Sequence, residues 1–118
     1  MSLKNWKLER KENILIMVVR RKCNHCGMDY EYEQFVNLIT FCPYCHQYDY
    51  LECEYGYGPV VPCRFYHGNE VIGMVTYYEE DSSIYQLTSQ KYNLNEFLGY
   101  SYLEALYEAR DRLAAYLL

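Results

Sequence analysis

The sequence predicts an α+β fold: a four-cysteine metal-binding segment is joined to a short antiparallel β-meander, and a C-terminal amphipathic helix packs against the meander. Three patterns predict it, namely two Cys-x2-Cys pairs separated by fifteen residues, stretches in which apolar and polar residues alternate, and an apolar repeat of helical spacing near the C terminus. The chain has 118 residues, 51% of them hydrophobic, which suits one domain or two very small ones. We place the division at residues 1–55 and 56–118, with one continuous body as the alternative.

The N-terminal residues are basic, whereas the remainder of the chain is acidic. Residues 1–22 contain seven Lys or Arg and two Glu, a net charge of +5, and residues 23–118 contain four basic and fourteen acidic residues, a net charge of −10. The apolar run Ile14 to Val19 predicts a buried strand that leads into Arg20-Arg21-Lys22. This run is too short for a membrane span or a signal peptide, so we expect a cytoplasmic protein with reduced thiols.

Cys23, Cys26, Cys42 and Cys45 have the spacing of a closed tetrahedral zinc site. Two residues between paired thiolates allow one tight turn to present both sulfurs to a single ion about 2.3 Å away. We predict one structural Zn²⁺; iron, or a thiol redox pair or disulfide, is the alternative. Four thiolates leave no coordination position for water, so this site is predicted to stabilise the fold and not to catalyse a reaction.

The segment from residue 14 to residue 55, with CNHCG and CPYCH at its two cysteine pairs, resembles a zinc ribbon. The resemblance implies two knuckles at the ends of short hairpins, with the four cysteines as ligands. His46 stands where many ribbons have a second glycine, so we expect the second turn to be less regular. The same letters also resemble the knuckles of rubredoxins, which carry one electron on iron, although rubredoxins have a longer span between their pairs.

Two further cysteines, Cys53 and Cys63, lie in strand-like surroundings, and buried cysteines are common there. Together with His46 and His67 they leave a second metal site open, because Cys63-x3-His67 has the spacing of a half-site. No histidine is paired with a nucleophile motif, and no phosphate loop, GxGxxG or HExxH sequence occurs. We therefore predict that the protein is not an enzyme.

Alternating residues predict the strands. Residues 28–33 alternate Met or Tyr with Asp or Glu, which predicts a strand with one aromatic and one acidic face. Three further short strands, at residues 63–66, 71–78 and 84–88, form the predicted meander. Gly and Pro are concentrated in residues 54–63, which we interpret as a hinge between the two halves.

Ser101 and Glu104 form a capping-box pattern, in which each side chain bonds to the backbone of the other residue, so a helix is predicted to begin there. Arg110 interrupts its apolar stripe and is expected at the edge of the stripe. The hairpin EEDSSIYQL followed by this helix is similar to HicB-type antitoxins, which implies a small sheet with one helix that grips a protein partner. The matching residues are Gly99, Ser101, Glu104, Ala105, Leu106 and Ala109.

The sixteen tyrosines are too many for a chain of this size to bury completely. Tyr supplies rigid, amphipathic contact area, and several tyrosines here alternate with Asp or Glu. We predict a non-enzymatic protein that binds a protein partner through an acidic, tyrosine-rich surface, as a small regulator, adaptor or inhibitor of bacterial or phage type. The predicted partner-binding residues are Tyr30, Tyr32, Tyr48, Tyr50, Tyr55 and Tyr57.

Nucleic-acid binding is the alternative function. It would use basic residues 4–22, in which Arg20, Arg21 and Lys22 lie beside the first cysteine pair. The acidic remainder of the chain would repel a phosphate backbone, and the same cations could instead pair with acidic residues of the chain. A rubredoxin-like iron electron carrier is the second alternative.

Overall fold

A computed structural model of the chain describes residues 6–12, 14–33, 38–52 and 61–118. Within these ranges the chain forms nine strands and one helix, arranged as two sheets with the helix packed on one of them. The predicted α+β fold class is confirmed. The elements are β1 (Trp6–Lys11), β2 (Ile14–Lys22), β3 (Asp29–Glu33), β4 (Leu38–Phe41), β5 (Tyr48–Glu52), β6 (Cys63–His67), β7 (Glu70–Tyr78), β8 (Asp81–Ser89), β9 (Leu94–Gly99) and α1 (Tyr102–Ala115).

The smaller sheet has the antiparallel order β1-β2-β3. All six residues of β1 pair with β2, from Trp6 opposite Val19 to Lys11 opposite Ile14. In contrast, β3 pairs only with Val18–Lys22. Residues 8–12 and 14–17 therefore form a two-stranded extension beyond the edge of the third strand, which we call the β-arm.

The larger sheet has the order β5-β4-β6-β7-β8-β9, and every neighbouring pair is antiparallel except β4 and β6. This parallel pair places strands from both sides of residue 55 in one sheet. The predicted hinge falls mostly on residues 53–60, which lie outside the described residues. The predicted three-stranded meander has four strands, because residues 94–99 add β9, whose burial alternates as a strand requires.

Helix α1 covers β7, β8 and β9 with a stripe of small and large apolar residues that are fully buried. These residues are Ala105, Leu106, Ala109 and Leu113. Ser101 is the N-cap, but its side chain makes no capping hydrogen bond, so the predicted capping box is wrong. Leu103 and Glu104 are exposed there, so water can reach the first-turn N–H groups that a capping box would otherwise satisfy. In the described part of the chain, no helix has the length and apolar character needed to cross a membrane.

A glycine sets how closely the helix approaches the sheet. A Cβ atom at Gly73 would lie 3.0 Å from Leu113 Cδ1 and 3.2 Å from the carbonyl oxygen of Thr88. The side chain of Leu113 therefore fills the space that an alanine at position 73 would need.

We expect Gly73→Ala to lower the free energy of unfolding by about 1–3 kcal/mol through overpacking, and Leu113→Ala to lower it by about 2–5 kcal/mol through a cavity. The double variant is expected to lose less than the sum, since removing the leucine removes part of the clash. Urea denaturation of the four proteins measures this coupling, and strictly additive losses would contradict the close approach.

Candidate metal site

Two tight turns with the same hydrogen-bond pattern carry the four cysteines. The first connects β2 to β3, where Cys23 N–H donates to the Met28 carbonyl (2.9 Å) and Gly27 N–H donates to the Cys23 carbonyl (3.0 Å). The second connects β4 to β5, where Cys42 N–H donates to the Gln47 carbonyl (3.0 Å) and His46 N–H donates to the Cys42 carbonyl (2.9 Å). Each residue of the second turn thus occupies the place of the residue nineteen positions before it.

The closing residue of each turn has a left-handed backbone. Gly27 has φ = 76° and His46 has φ = 66°. The prediction that the second turn is less regular is therefore wrong, since histidine adopts the conformation that glycine adopts in the first turn. For a residue with a Cβ this conformation costs about 1–2 kcal/mol. The side chain of His46 compensates through a contact with β6, because its Nδ1 lies 3.0 Å from His67 Nε2.

The four sulfur atoms converge at one point. The Sγ atoms of Cys23 and Cys45 are 3.6 Å apart, as are those of Cys26 and Cys42, and all four lie within 4.8 Å of one another. Sulfurs around a tetrahedral zinc ion are about 3.8 Å apart, given Zn–S bonds of about 2.3 Å. A disulfide needs about 2.05 Å, and none of these cysteines is bonded to another. The arrangement therefore suits one tetrahedral metal ion.

Backbone amides point at the sulfurs and prepare them for a cation. His25 N–H donates to Cys23 Sγ (3.3 Å), and Tyr44 N–H donates to Cys42 Sγ (3.4 Å). Burial would raise the pKa of the Cys23 thiol, but the N–H groups of Cys26 and His25 outweigh it and lower this pKa to about 7. Burial raises the pKa of Cys42 to about 12 and also raises the pKa of Cys45. A metal ion must therefore displace protons from the last two thiols.

The site lies between the two sheets. Buried Cys23 and Cys42 pack with three buried tyrosines, Tyr30, Tyr32 and Tyr66, and Tyr30 OH donates to Thr40 Oγ1 (3.1 Å) across the sheet interface. The predicted alternation in β3 is confirmed, with tyrosines inward and Asp29 and Glu31 outward. However, the prediction that Tyr30 and Tyr32 belong to an exposed partner surface is wrong, because only 5% and 3% of these residues are exposed.

The turn after β6 is fastened to the second cysteine turn. Gly68 N–H donates to the Phe41 carbonyl (3.0 Å), and a Cβ atom at Gly68 would lie 3.1 Å from Pro43. Together with the contact between His46 and His67, these contacts fix the metal site to the larger sheet.

The second metal site does not form as the spacing suggested. Cys63 is fully buried in the core beneath the helix, and a rise of four residue steps along the strand separates it from His67 by about 13 Å. Within the described ranges, the four-cysteine group is the only set of three or more metal-binding side chains that converges. Cys53 lies outside those ranges.

The remaining predicted site residues have different surroundings. Arg20 pairs with Asp29 (3.1 Å), Arg21 is half-buried, and Lys22 is exposed. Tyr48 is exposed, and Tyr50 belongs to β5. Tyr55 and Tyr57 lie outside the described residues.

A groove that the sequence did not reveal runs between the second cysteine turn and α1, with a volume of about 430 Å³. The guanidinium of Arg110 lies over the ring of Tyr48 at 4.7 Å and over the ring of Tyr107 at 5.2 Å, and it pairs with Asp111 (2.9 Å). We call this cavity the knuckle–helix groove. The lining of the groove includes Phe41, His46, Tyr48, Arg110, Ala114 and Leu118. Arg110 at the edge of the apolar stripe was the one sequence signal for it.

Comparison with known proteins gives no match: no family model fits the chain, and no curated protein or solved structure resembles it at a significant level. The description of the site therefore rests on its own geometry.

We expect Cys42→Ser to abolish stoichiometric metal binding and to lower stability by several kcal/mol, because binding to a folded thiolate site contributes directly to folding free energy. Cys63→Ala is the matched control, since it removes a buried thiol outside the cluster and should retain one ion per chain. Elemental analysis and thermal unfolding provide the measurements, and equal metal content in the two variants would contradict the assignment.

Metal affinity is expected to rise with pH. The pKa values of Cys42 and Cys45 are raised, so near pH 7 both thiols are protonated without metal and must lose their protons when it binds. Calorimetric titration in buffers of different ionisation enthalpy should show the release of at least two protons per ion. An affinity that is constant between pH 6 and pH 8 would contradict this assignment.

Proposed function

We propose that the protein is a non-enzymatic zinc-ribbon protein that binds a basic protein partner through the knuckle–helix groove. The observation that carries the proposal is the stacked set of Tyr48, Arg110 and Tyr107, which stands beside an apolar concavity on two rigid elements. Tyr and Arg are enriched at the centres of protein interfaces, where they contribute most of the binding energy.

The groove is already shaped for binding. The guanidinium of Arg110 contacts both tyrosine rings, so these side chains lose less conformational freedom when a partner binds. Backbone hydrogen bonds hold the second cysteine turn, which forms one wall of the groove, and a buried apolar stripe anchors α1, which forms the other. Of the six tyrosines predicted to contact a partner, Tyr48 is the one with a described, exposed side chain.

The surrounding charge favours a basic partner. Residues 23–118 carry a net charge of −10, and four thiolates on a dication would add −2. Asp111 lines the groove and pairs with Arg110. Further along the exposed side of α1, Glu104 and Glu108 face solvent, and Glu108 pairs with Arg112. A basic partner would therefore be attracted over a distance comparable to the Debye length, and the attraction would weaken with salt.

Zinc is the proposed ion because four thiolates of this spacing form closed, structural zinc sites. The rubredoxin-like alternative predicts a coloured iron protein, and elemental analysis of the purified chain decides between the two metals. The resemblance to HicB-type antitoxins, which implies a sheet and helix that grip a protein, stays a prediction, as does the cytoplasmic setting. Nucleic-acid binding is not favoured, because Arg20 is paired with Asp29 and Lys7 is paired with Glu9 and Glu31.

Capture experiments with a tagged chain test the proposal. We expect the double variant Tyr48→Ser/Tyr107→Ser to capture at least tenfold less partner than the wild type, since both rings would contact the partner. The control is Tyr100→Ser, which changes a tyrosine that is 70% exposed, lies outside the groove lining and packs against Phe97, whereas Tyr107 contacts Arg110 of the lining. Increasing salt should reduce capture by the wild type. Equal capture by the double variant and the control, or no specific capture by the wild type, would contradict the proposal.

A further inference from the structure

The β-arm exposes an apolar face beside a cation. Residues directly opposite in an antiparallel pair point to the same face, and Leu8 lies opposite Met17 while Arg10 lies opposite Leu15. Leu8 and Leu15 are 55% and 58% exposed, and Met17 is 37% exposed. Arg10 is exposed and has no ion-pair partner among the described residues. One face of the arm is therefore apolar and positively charged.

A two-stranded hairpin of this kind is marginally stable by itself in water, because it has no third strand or helix to cover its apolar face. Among the described residues, the pairing with β3 ends where Glu33 lies opposite Val18, and residues 14–17 pair with β1 alone. The exposed leucines on the arm therefore indicate a surface that another molecule covers.

A surface that complements the β-arm in charge and apolar character occurs in the same chain. Residues 6–22 carry six basic and two acidic residues, a net charge of +4, against −10 for residues 23–118. The knuckle–helix groove is largely apolar inside, its Arg110 is offset by Asp111, and it belongs to this acidic part of the chain. An arm with an apolar and cationic face thus matches an apolar groove on the part of the chain that carries the negative charge.

We propose that two copies of this chain form a two-fold dimer in which the β-arm of each copy docks in the knuckle–helix groove of the other. The proposal rests on the groove being the binding surface proposed above, and it names a second copy as one occupant of it. Because the contact is made twice, the assembly closes at two chains and buries twice the area of a single contact. The dimer would compete with the basic partner, so partner binding would be regulated by the concentration of the protein.

Direct stacking of the two arms is the competing arrangement. It would bring two segments of net charge +4 together, with Arg10 of each copy beside the contact, and like charges at an interface are unfavourable. It would also leave the groove uninvolved, so variants in the groove distinguish the two arrangements.

Light scattering and native mass spectrometry of the full, metal-loaded chain test the proposal. The wild type is expected to be a dimer at low salt whose dissociation constant increases with ionic strength. The arm variant Leu8→Ser/Leu15→Ser and the groove variant Tyr48→Ser/Tyr107→Ser should each dissociate at least tenfold more readily. Phe97→Ser, which replaces a 56% exposed apolar residue of β9, is the control and should remain dimeric.

Mixing gives the sharpest result. The arm variant keeps an intact groove and the groove variant keeps an intact arm, so the mixture should form a heterodimer held by one contact. Arg10→Glu, a surface change that does not touch the apolar residues, should also weaken the dimer if the arm variant folds poorly. A monomeric wild type, or a groove variant that stays dimeric, would overturn the proposal. Either result would leave partner capture by the groove to be judged from its own experiment.

Discussion

The convergence of four sulfur atoms from two separate turns is the constraint on which the fold depends. One turn ends the hairpin of the smaller sheet and the other ends the first hairpin of the larger sheet, so bringing their cysteines together fixes one sheet relative to the other. The tyrosines of β3 then pack against Tyr66 of β6 and close the interface. The contact of His46 with His67 extends the same constraint along the edge of the larger sheet.

The sequence predicts local features well because their causes are local. Cysteine spacing locates the metal site, alternation locates β3, and helical spacing locates α1. The apolar run Ile14 to Val19 locates β2, but the prediction that this strand is buried is wrong, because Ile14 and Leu15 are 62% and 58% exposed. The predictions that fail, and the groove that was not predicted, depend on contacts between residues far apart in the sequence. Alternation in residues 28–33 shows that Tyr30 and Tyr32 share a face, but it cannot show that the other sheet covers that face. Likewise, Tyr48 and Arg110 are 62 positions apart, so no spacing rule could bring them together into a groove.

Different residues of the chain hold the fold together and form the exposed surfaces. The cysteines and the buried tyrosines hold the two sheets together. The exposed features are a cationic hairpin and an apolar, aromatic groove. A closed thiolate site offers no position for substrate, so its contribution is geometric. The second turn forms a wall of the groove, and through it the metal site positions the proposed binding surface.

The parallel pairing of β4 with β6 matters for the stability of the chain before a metal ion binds. Strands β5 and β4 cover the side of β6 that would otherwise carry a row of unsatisfied amide and carbonyl groups, and they are held there by the second cysteine turn. If that turn opens, β6, a five-residue strand with Phe65 and Tyr66 at its centre, becomes an edge strand to which another chain can add. The supply of metal during synthesis would then determine how much of the protein escapes aggregation.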